Sequence, residues 1–380
     1  MTTFLHTSDW HLGLSWAKLS ESSQAEYTRA RIEVVSKMAA LAAEEECEFV
    51  VVCGDIFDSN QVDDKTLRRS LDAIAEFEQP VLLLPGNHDA FDASSVYLRP
   101  TFQASQPDNV LILDTPGLHK VPGTDHVVAA APLLTRHAAE DLPARVVAGL
   151  REGNESATLL VAHGVTDVLN PDRVRADAIA VGSLEVAIGD GLVKYVALGD
   201  RHGFRDSGEN TENRIVYSGS PLVSDYREID SNGVVIVKLE EDSVTVERRI
   251  VGEWDFISRE IELNSSVEID ALEEWLSALE HKTETVVRLA RTGVLSLTDY
   301  ARVDRLIEEF GDRLALLEVW DRKDDLHVAP NETDFEQLDL SGYAESAMEE
   351  LRDVATGNTP ESDVARDALN LLFRLQKGAS

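Results

Sequence analysis

Three short apolar runs within the first ninety residues each end in a polar stretch of the same kind. Residues 3–6 lead into Ser8-Asp9-Trp10-His11, residues 49–53 into Gly54-Asp55-Ile56-Phe57-Asp58, and residues 81–84 into Gly86-Asn87-His88-Asp89. Apolar runs of four or five residues, bounded by Gly, Asp and Asn, read as strands buried on both faces. Between them, 25–46 and 63–78 carry apolar side chains at helical spacing, with Ile32, Val35, Met38, Ala39 and Ala42 in the first and Leu67, Leu71, Ile74 and Phe77 in the second. Strand and helix in alternation predict α/β layers. In open α/β sheets ligands collect at the carboxyl ends of the strands, so the pattern brings Asp9, His11, Asp55, Asn87 and His88 together.

Carboxylate, imidazole and amide oxygen in one cluster form a ligand set for first-row divalent metals. No thiolate takes part, which argues against a structural zinc site. Asp55 is suited to bridging two cations. One Asp after a strand is most often a helix N-cap, and one His is usually a surface or core residue. Three such motifs in order, each at a strand exit, are much harder to obtain by chance. Two later exits add candidates: His163 in Ala162-His163-Gly164, and Asp200 and His202 in Gly199-Asp200-Arg201-His202. His6, His119, His126, His137, His281 and His327 sit in no such setting and read as ordinary core or surface residues.

Strand and helix patterns continue through 127–131, 136–151, 159–162, 195–198, 215–217, 234–239 and 244–250. Past 252 a second set begins: strands at 257–263, 286–290 and 314–320, with helices at 268–281 and 298–310. A polar, acidic stretch at 329–342 reads as a linker, followed by amphipathic helices at 343–354 and 363–377. The expected organisation is a catalytic domain over 1–252, a small α/β domain over 253–328, and 329–380 as linker and helices able to dock a partner. The two cysteines, Cys47 and Cys53, lie in or beside an apolar strand and read as buried thiols. No apolar run approaches the ~20 residues that span a bilayer, and Met1 runs almost directly into a strand, so a cytoplasmic protein is expected. With 70 acidic against 35 basic residues the net charge is −35, a surface that repels polyanions.

The motifs resemble the calcineurin-like metallophosphoesterase superfamily, and within it the SbcD and YhaO-type branch of DNA double-strand-break nucleases. The resemblance rests on Leu5-His6-Thr7-Ser8-Asp9-Trp10-His11-Leu12-Gly13, Gly54-Asp55-Ile56-Phe57-Asp58-Ser59-Asn60, Pro85-Gly86-Asn87-His88-Asp89 and Tyr217-Ser218-Gly219-Ser220-Pro221. It implies a four-layer α/β/β/α sandwich followed by a small α/β capping domain and terminal helices. It also implies a site for two divalent ions, with Mn²⁺ usual. One ion would be held by Asp9, His11, Asp55 and His202, the other by Asp55, Asn87, His163 and position 200. His88 would contact the scissile phosphate and assist the leaving group, with Asp89 orienting it. Position 200 is usually His in this family; here it is Asp200, which can still ligate a hard cation. The implied activity is hydrolysis of DNA ends or hairpins, exo- or endonucleolytic, in repair or recombination. The implied partners are DNA, an SbcC-like SMC-type ATPase and a second copy of the chain.

No Gly-x-x-x-x-Gly-Lys-Ser/Thr loop is present, so ATP dependence would come from that partner. A phosphodiesterase of the same fold acting on a small nucleotide, and a non-catalytic scaffold, are the alternatives. A protein phosphatase fits less well, because Ser59-Asn60 follow Asp58 where that group has Arg-Gly. Arg201, Arg205, Arg214 and Arg227 are the candidate DNA contacts near the site.

Overall fold

A computed structural model describes residues 1–169, 175–241, 243–328, 343–355, 357, 359–362, 364–365 and 367–369. The chain divides into two compact units: Met1–Ala17 with Gln24–Trp254, and Lys18–Ser23 with the described part of Asp255–Ser380.

The first unit opens with β1 (Thr2–Thr7), α1 (Glu21–Glu44), β2 (Phe49–Cys53), α2 (Asp64–Ile74), β3 (Val81–Leu84), α3 (Pro100–Ser105) and β4 (Val110–Ile112). It continues with β5 (Gly117–Lys120), β6 (Val127–Ala131), α4 (Leu142–Gly153), β7 (Ala157–His163), α5 (Val181–Gly189), β8 (Val193–Gly199), β9 (Arg205–Asp206) and β10 (Ile215–Tyr217). A hairpin, β11 (Gly233–Leu239) and β12 (Val244–Ile250), completes it. Two six-stranded sheets result, ordered β12-β11-β1-β2-β3-β4 and β5-β6-β7-β8-β10-β9.

The alternation of strand faces builds three apolar layers. Phe4, Phe49, Val51 and Leu82 of the first sheet meet Val128, Leu159, Val161 and Tyr195 of the second between the sheets. The opposite faces, Leu5, Val50, Val52 and Leu83, pack on Val35, Met38, Leu67 and Leu71 of α1 and α2. Leu160, Val196 and Leu198 of the second sheet likewise pack on Val146, Leu150 and Leu184 of α4 and α5. The order is helix, sheet, sheet, helix, the four-layer α/β/β/α sandwich. Strands buried on both faces are uniformly apolar for this reason. β1, β2 and β3 run parallel, as do β7 and β8.

The second unit holds β13 (Asp255–Glu262), α6 (Ser266–Ala278), β14 (Thr285–Leu295), α7 (Leu297–Gly311), β15 (Leu316–Val319) and β16 (Asp325–Val328). Its strands are all parallel and centred on β14. α6 and α7 bury Ile269, Leu272, Leu276, Val303 and Phe310 against Val287 and Leu289. In α8 (Tyr343–Ala355), Met348 and Ala355 cluster with Leu297, Val328, Ala365 and Leu369. The expected linker at 329–342 and the end of the last expected helix, 370–377, lie outside the described residues. Cys47 and Cys53 are buried free thiols. Among the described residues no helix is long and apolar enough to cross a membrane.

Candidate metal centre

All seven expected ligands meet at one end of the sandwich. β1 delivers Asp9 and His11, β2 Asp55, β3 Asn87, β7 His163, and β8 Asp200 and His202. The loops are tied to one another: Asp9 N donates to the Gly54 carbonyl at 3.0 Å and His11 N to the Asp55 carbonyl at 2.9 Å. Asp9, His11, Asp55 and Asp200 all have positive φ, at 55°, 45°, 55° and 97°. Non-glycine residues adopt that region rarely, and when they do the strain is held by surrounding structure, often at a functional site. Glycine allows the closest approaches. A Cβ at Gly54 would overlap the His163 ring, one at Gly86 the Asp55 carboxylate, and one at Gly199 the Cys53 carbonyl.

The donors fall into two overlapping groups. His11 Nε2 and His202 Nε2 stand 3.1 Å apart, with Asp9 Oδ1 3.9 Å and Asp55 Oδ2 4.0 Å from one or other of them. His163 Nε2 lies 2.9 Å from Asn87 Oδ1, 3.4 Å from Asp55 Oδ2 and 3.7 Å from Asp200 Oδ1. Asp55 therefore stands between the groups, and Asp200 points its carboxylate into the second.

The surroundings fit cations. His163 Nδ1 donates to the Cys53 carbonyl at 2.7 Å, and His202 Nδ1 lies 2.6 Å from Glu228 Oε1. Each contact places the proton on Nδ1 and leaves Nε2 facing the cluster, the arrangement found around histidine ligands. Burial alone would lower the His163 pKa, but Asp55, Asp9 and Asp200 raise it well above the ordinary value. Burial likewise works against His202, yet Glu228 and Asp9 lift it to about 9. Burial would raise Asp55; His163, His11 and His88 instead hold it below the ordinary range. Asp200 is raised, by burial and by Asp9 and Asp55, against the pull of His163. The carboxylates create a field that concentrates positive charge at this point. The donor set and the field both suit divalent ions.

His88 stands at the rim, and its placement corrects one expectation. Its Nδ1 lies 2.8 Å from the Asp58 carbonyl and 3.7 Å from Asp58 Oδ1, so Asp58 holds the ring. Asp89 does not: its carboxylate is fully buried and accepts from Ile56 N, Phe57 N, Gly86 N and the Tyr97 hydroxyl. The adjacent side chain is turned inward because three amides and a hydroxyl need an acceptor there. Asp89 thus braces the Asp55 and Asn87 loops. Burial, with Asp55 nearby, pushes its pKa up to about 6.

Two further residues support the floor. Glu228, held by Ser224, fixes His202, and no local spacing in the sequence points to it. Arg31 of α1 is buried and donates to the Trp10 carbonyl at 2.7 Å and to the Tyr27 hydroxyl at 2.5 Å. It joins the helix to the loop of Asp9 and His11. An open cleft of about 690 Å³ lies over His11, His88 and His202, and a smaller one of about 210 Å³ over Asn87 and His163. Of the candidate arginines, Arg201 and Arg227 line the larger cleft and Arg205 and Arg214 line neither.

The profile of the calcineurin-like phosphoesterase family matches residues 2–204, more than half of the chain. The chain belongs to this family. The sandwich described above matches the fold of that family. Over 95 residues, 24% of this chain, it is 28% identical to the SbcD component of the SbcCD nuclease of Bacillus subtilis (strain 168). That match spans about a quarter of the relative, 23% of its length. A crystal structure of TT1561 of Thermus thermophilus superposes with a TM-score of 0.43 and 13% identity, covering 66% of this chain and 99% of that one.

Proposed function

We propose that this phosphoesterase is a DNA nuclease of the SbcD type, hydrolysing phosphodiester bonds at ends or hairpins in DNA repair or recombination. The observation that carries the phosphodiesterase part is the meeting of seven ligand side chains on one floor with His88 at its edge. In this reading Asp9, His11, Asp55 and His202 hold one cation, and Asp55, Asn87, His163 and Asp200 the other. Bound there, two divalent ions, Mn²⁺ by resemblance, supply Lewis-acid charge to the phosphoryl oxygens. His88 offers Nε2 to the leaving oxygen. Its Nδ1 proton is directed to the Asp58 carbonyl, which orients the ring so that Nε2 is the nitrogen able to exchange a proton with the leaving oxygen.

The nuclease part is supported by the SbcD match and by the forms Thr7-Ser8-Asp9-Trp10-His11 and Gly54-Asp55-Ile56-Phe57-Asp58-Ser59-Asn60. The rest of the reading follows from it: an SMC-like ATPase partner of the SbcC kind, a cytoplasmic setting, a homodimer, catalysis in 1–252, a cap in 253–328 and docking by 329–380. The net charge of −35 favours a second reading, a small nucleotide or other phosphodiester as substrate.

Labelled linear, hairpin and single-stranded DNA with Mn²⁺, beside bis(p-nitrophenyl) phosphate, separate the two. Cleavage of the small ester alone would favour the second. In either case His88→Ala should lower kcat by about 10²–10⁴-fold while the protein still binds metal. Full activity in that variant would remove His88 from the reaction.

A further inference from the structure

The larger cleft is lined by two arginines, Arg201 and Arg227, among the carboxylates of Asp58, Asp200, Asp225 and Glu228. Arg227 is engaged, with Nε 2.8 Å from Asp225 Oδ1 and a second nitrogen 3.3 Å from Oδ2. Arg201 is not. Among the described residues it forms no ion pair or hydrogen bond, and its Nε is buried without a partner. A guanidinium carries five donors, and a buried donor left unmade costs free energy. That cost is unexpected in a chain with two acidic residues for every basic one. The backbone around Arg201 is also fixed: Asp200 N donates to the Asp9 carboxylate and Ser220 N to the His202 carbonyl at 2.8 Å. The backbone that carries Arg201 is therefore held beside the metal floor, and the half-buried side chain has at least its Nε unspent.

We propose that Arg201 binds a second phosphate of the substrate, one linkage away from the phosphate that is hydrolysed, so that the cleft selects a nucleotide strand over an isolated phosphodiester. The inference rests on the phosphodiesterase reading and adds its substrate class. Arg201 lines the cleft that also holds His88 and is absent from the lining of the smaller cavity over Asn87 and His163, which places it on the His88 side of the metal floor. A planar fork of donors matches phosphate oxygens. Leu14, Val165 and the 74% exposed Ile229 add apolar surface to the same cleft for sugar and base. Its volume suits a ligand larger than one phosphate ester.

The test compares thymidylyl-thymidine with its forms carrying one extra terminal phosphate, pTpT and TpTp, each holding a single diester. With Mn²⁺, the wild type should prefer one phosphorylated form by about tenfold or more in kcat/KM. Arg201→Ala should bring that ratio close to one, and Arg201→Lys should keep part of it. Because the readout is a ratio within each variant, a general loss of activity does not imitate it. Retention of the wild-type ratio in Arg201→Ala, or no preference in the wild type, overturns the proposal. Calorimetric binding of the same three ligands with Ca²⁺ gives the ratio without turnover. A chain that hydrolyses no diester would overturn the phosphodiesterase reading, while the binding ratio still decides Arg201.

Discussion

Four of the seven expected ligands hold left-handed backbone, and Asp200 is the most extended case at φ 97°. Each such residue stores about 1–3 kcal/mol that the surrounding loops must hold. Asp200 adds a second cost, since its carboxylate is half-buried beside Asp9 and Asp55. The metal-free protein should therefore gain nothing from it. Asp200→Ala is expected to lower bound Mn²⁺ from two ions to one by elemental analysis, with no loss of thermal stability in EDTA. Two ions in the variant would remove Asp200 from the ligand set. The convergence of these seven side chains was legible because each lies at or just beyond the end of its strand, so that chain order reports position. Asp58 and Glu228 were not assigned in this way, since their contacts with His88 and His202 form across 30 and 26 residues. Asp89 shows the converse error. Adjacency to His88 suggested a contact, but neighbours in a tight turn point apart, and buried amides decided where this carboxylate went.

At the level of elements, the continuous apolar strands were legible and most of the short edge strands were not. β2, β3, β6 and β10 match their sequence patterns end to end, because burial leaves a continuous apolar run; β12, a partly exposed edge strand, also matches in extent. β5, β9 and β16 are short strands with mixed exposure and no such run, while β4 is a three-residue apolar edge strand. α4 begins at Leu142, six residues beyond its sequence pattern, since Asp141 caps it through Ala144 N and Pro143 occupies the first turn. The β3 exit gives a sharp prediction. A methyl at Gly86 would overlap both Asp55 Oδ1 and Asp55 N, the midpoint of the two ligand groups. Gly86→Ala should cost about 1–3 kcal/mol, a fall of several degrees in Tm, and abolish binding of both ions. Wild-type metal content in a folded variant would mean that the loop relaxes.

The two sheets are also joined by a residue that periodicity treated as ordinary. His6 of β1 is fully buried, with Nδ1 3.0 Å from the Tyr195 hydroxyl and Nε2 3.2 Å from the Leu198 carbonyl of β8. Burial takes its pKa from 6.5 down to about 3, although the Leu198 hydrogen bond opposes the shift. The folded state therefore keeps the ring neutral where the unfolded chain takes up a proton. Stability is unaffected above about pH 6.5 and falls as pH drops from there toward 3, by up to about 1.4 kcal/mol per unit. His6→Gln should be less stable at pH 7 yet show a shallower decline in Tm between pH 6.5 and 4. An unchanged slope would place the acid sensitivity in other groups.

On the scale of the whole molecule, charge and proposed substrate are in tension. Affinity for duplex DNA comes largely from cations that neutralise phosphates and release counterions, with log K falling by about 0.9 per contact for each unit of log salt. A surface with 70 acidic and 35 basic residues works in the opposite sense, because salt screens its repulsion of the backbone. Among the described residues, Arg201 and Arg227 are the arginines that line the cleft, and Asp225 already engages the second. The isolated chain is therefore expected to bind duplex DNA at micromolar strength or weaker near 0.15 M salt, with a shallow slope of about −1 to −2. If the proposed ATPase partner exists, adding it should tighten binding and steepen the slope, since the missing cations would then be the partner's. Fluorescence anisotropy of a labelled duplex across a salt series measures both quantities. Tight binding by the chain alone, insensitive to salt, would mean that contacts other than phosphate neutralisation hold the DNA, and would take away the need for a partner to supply the charge.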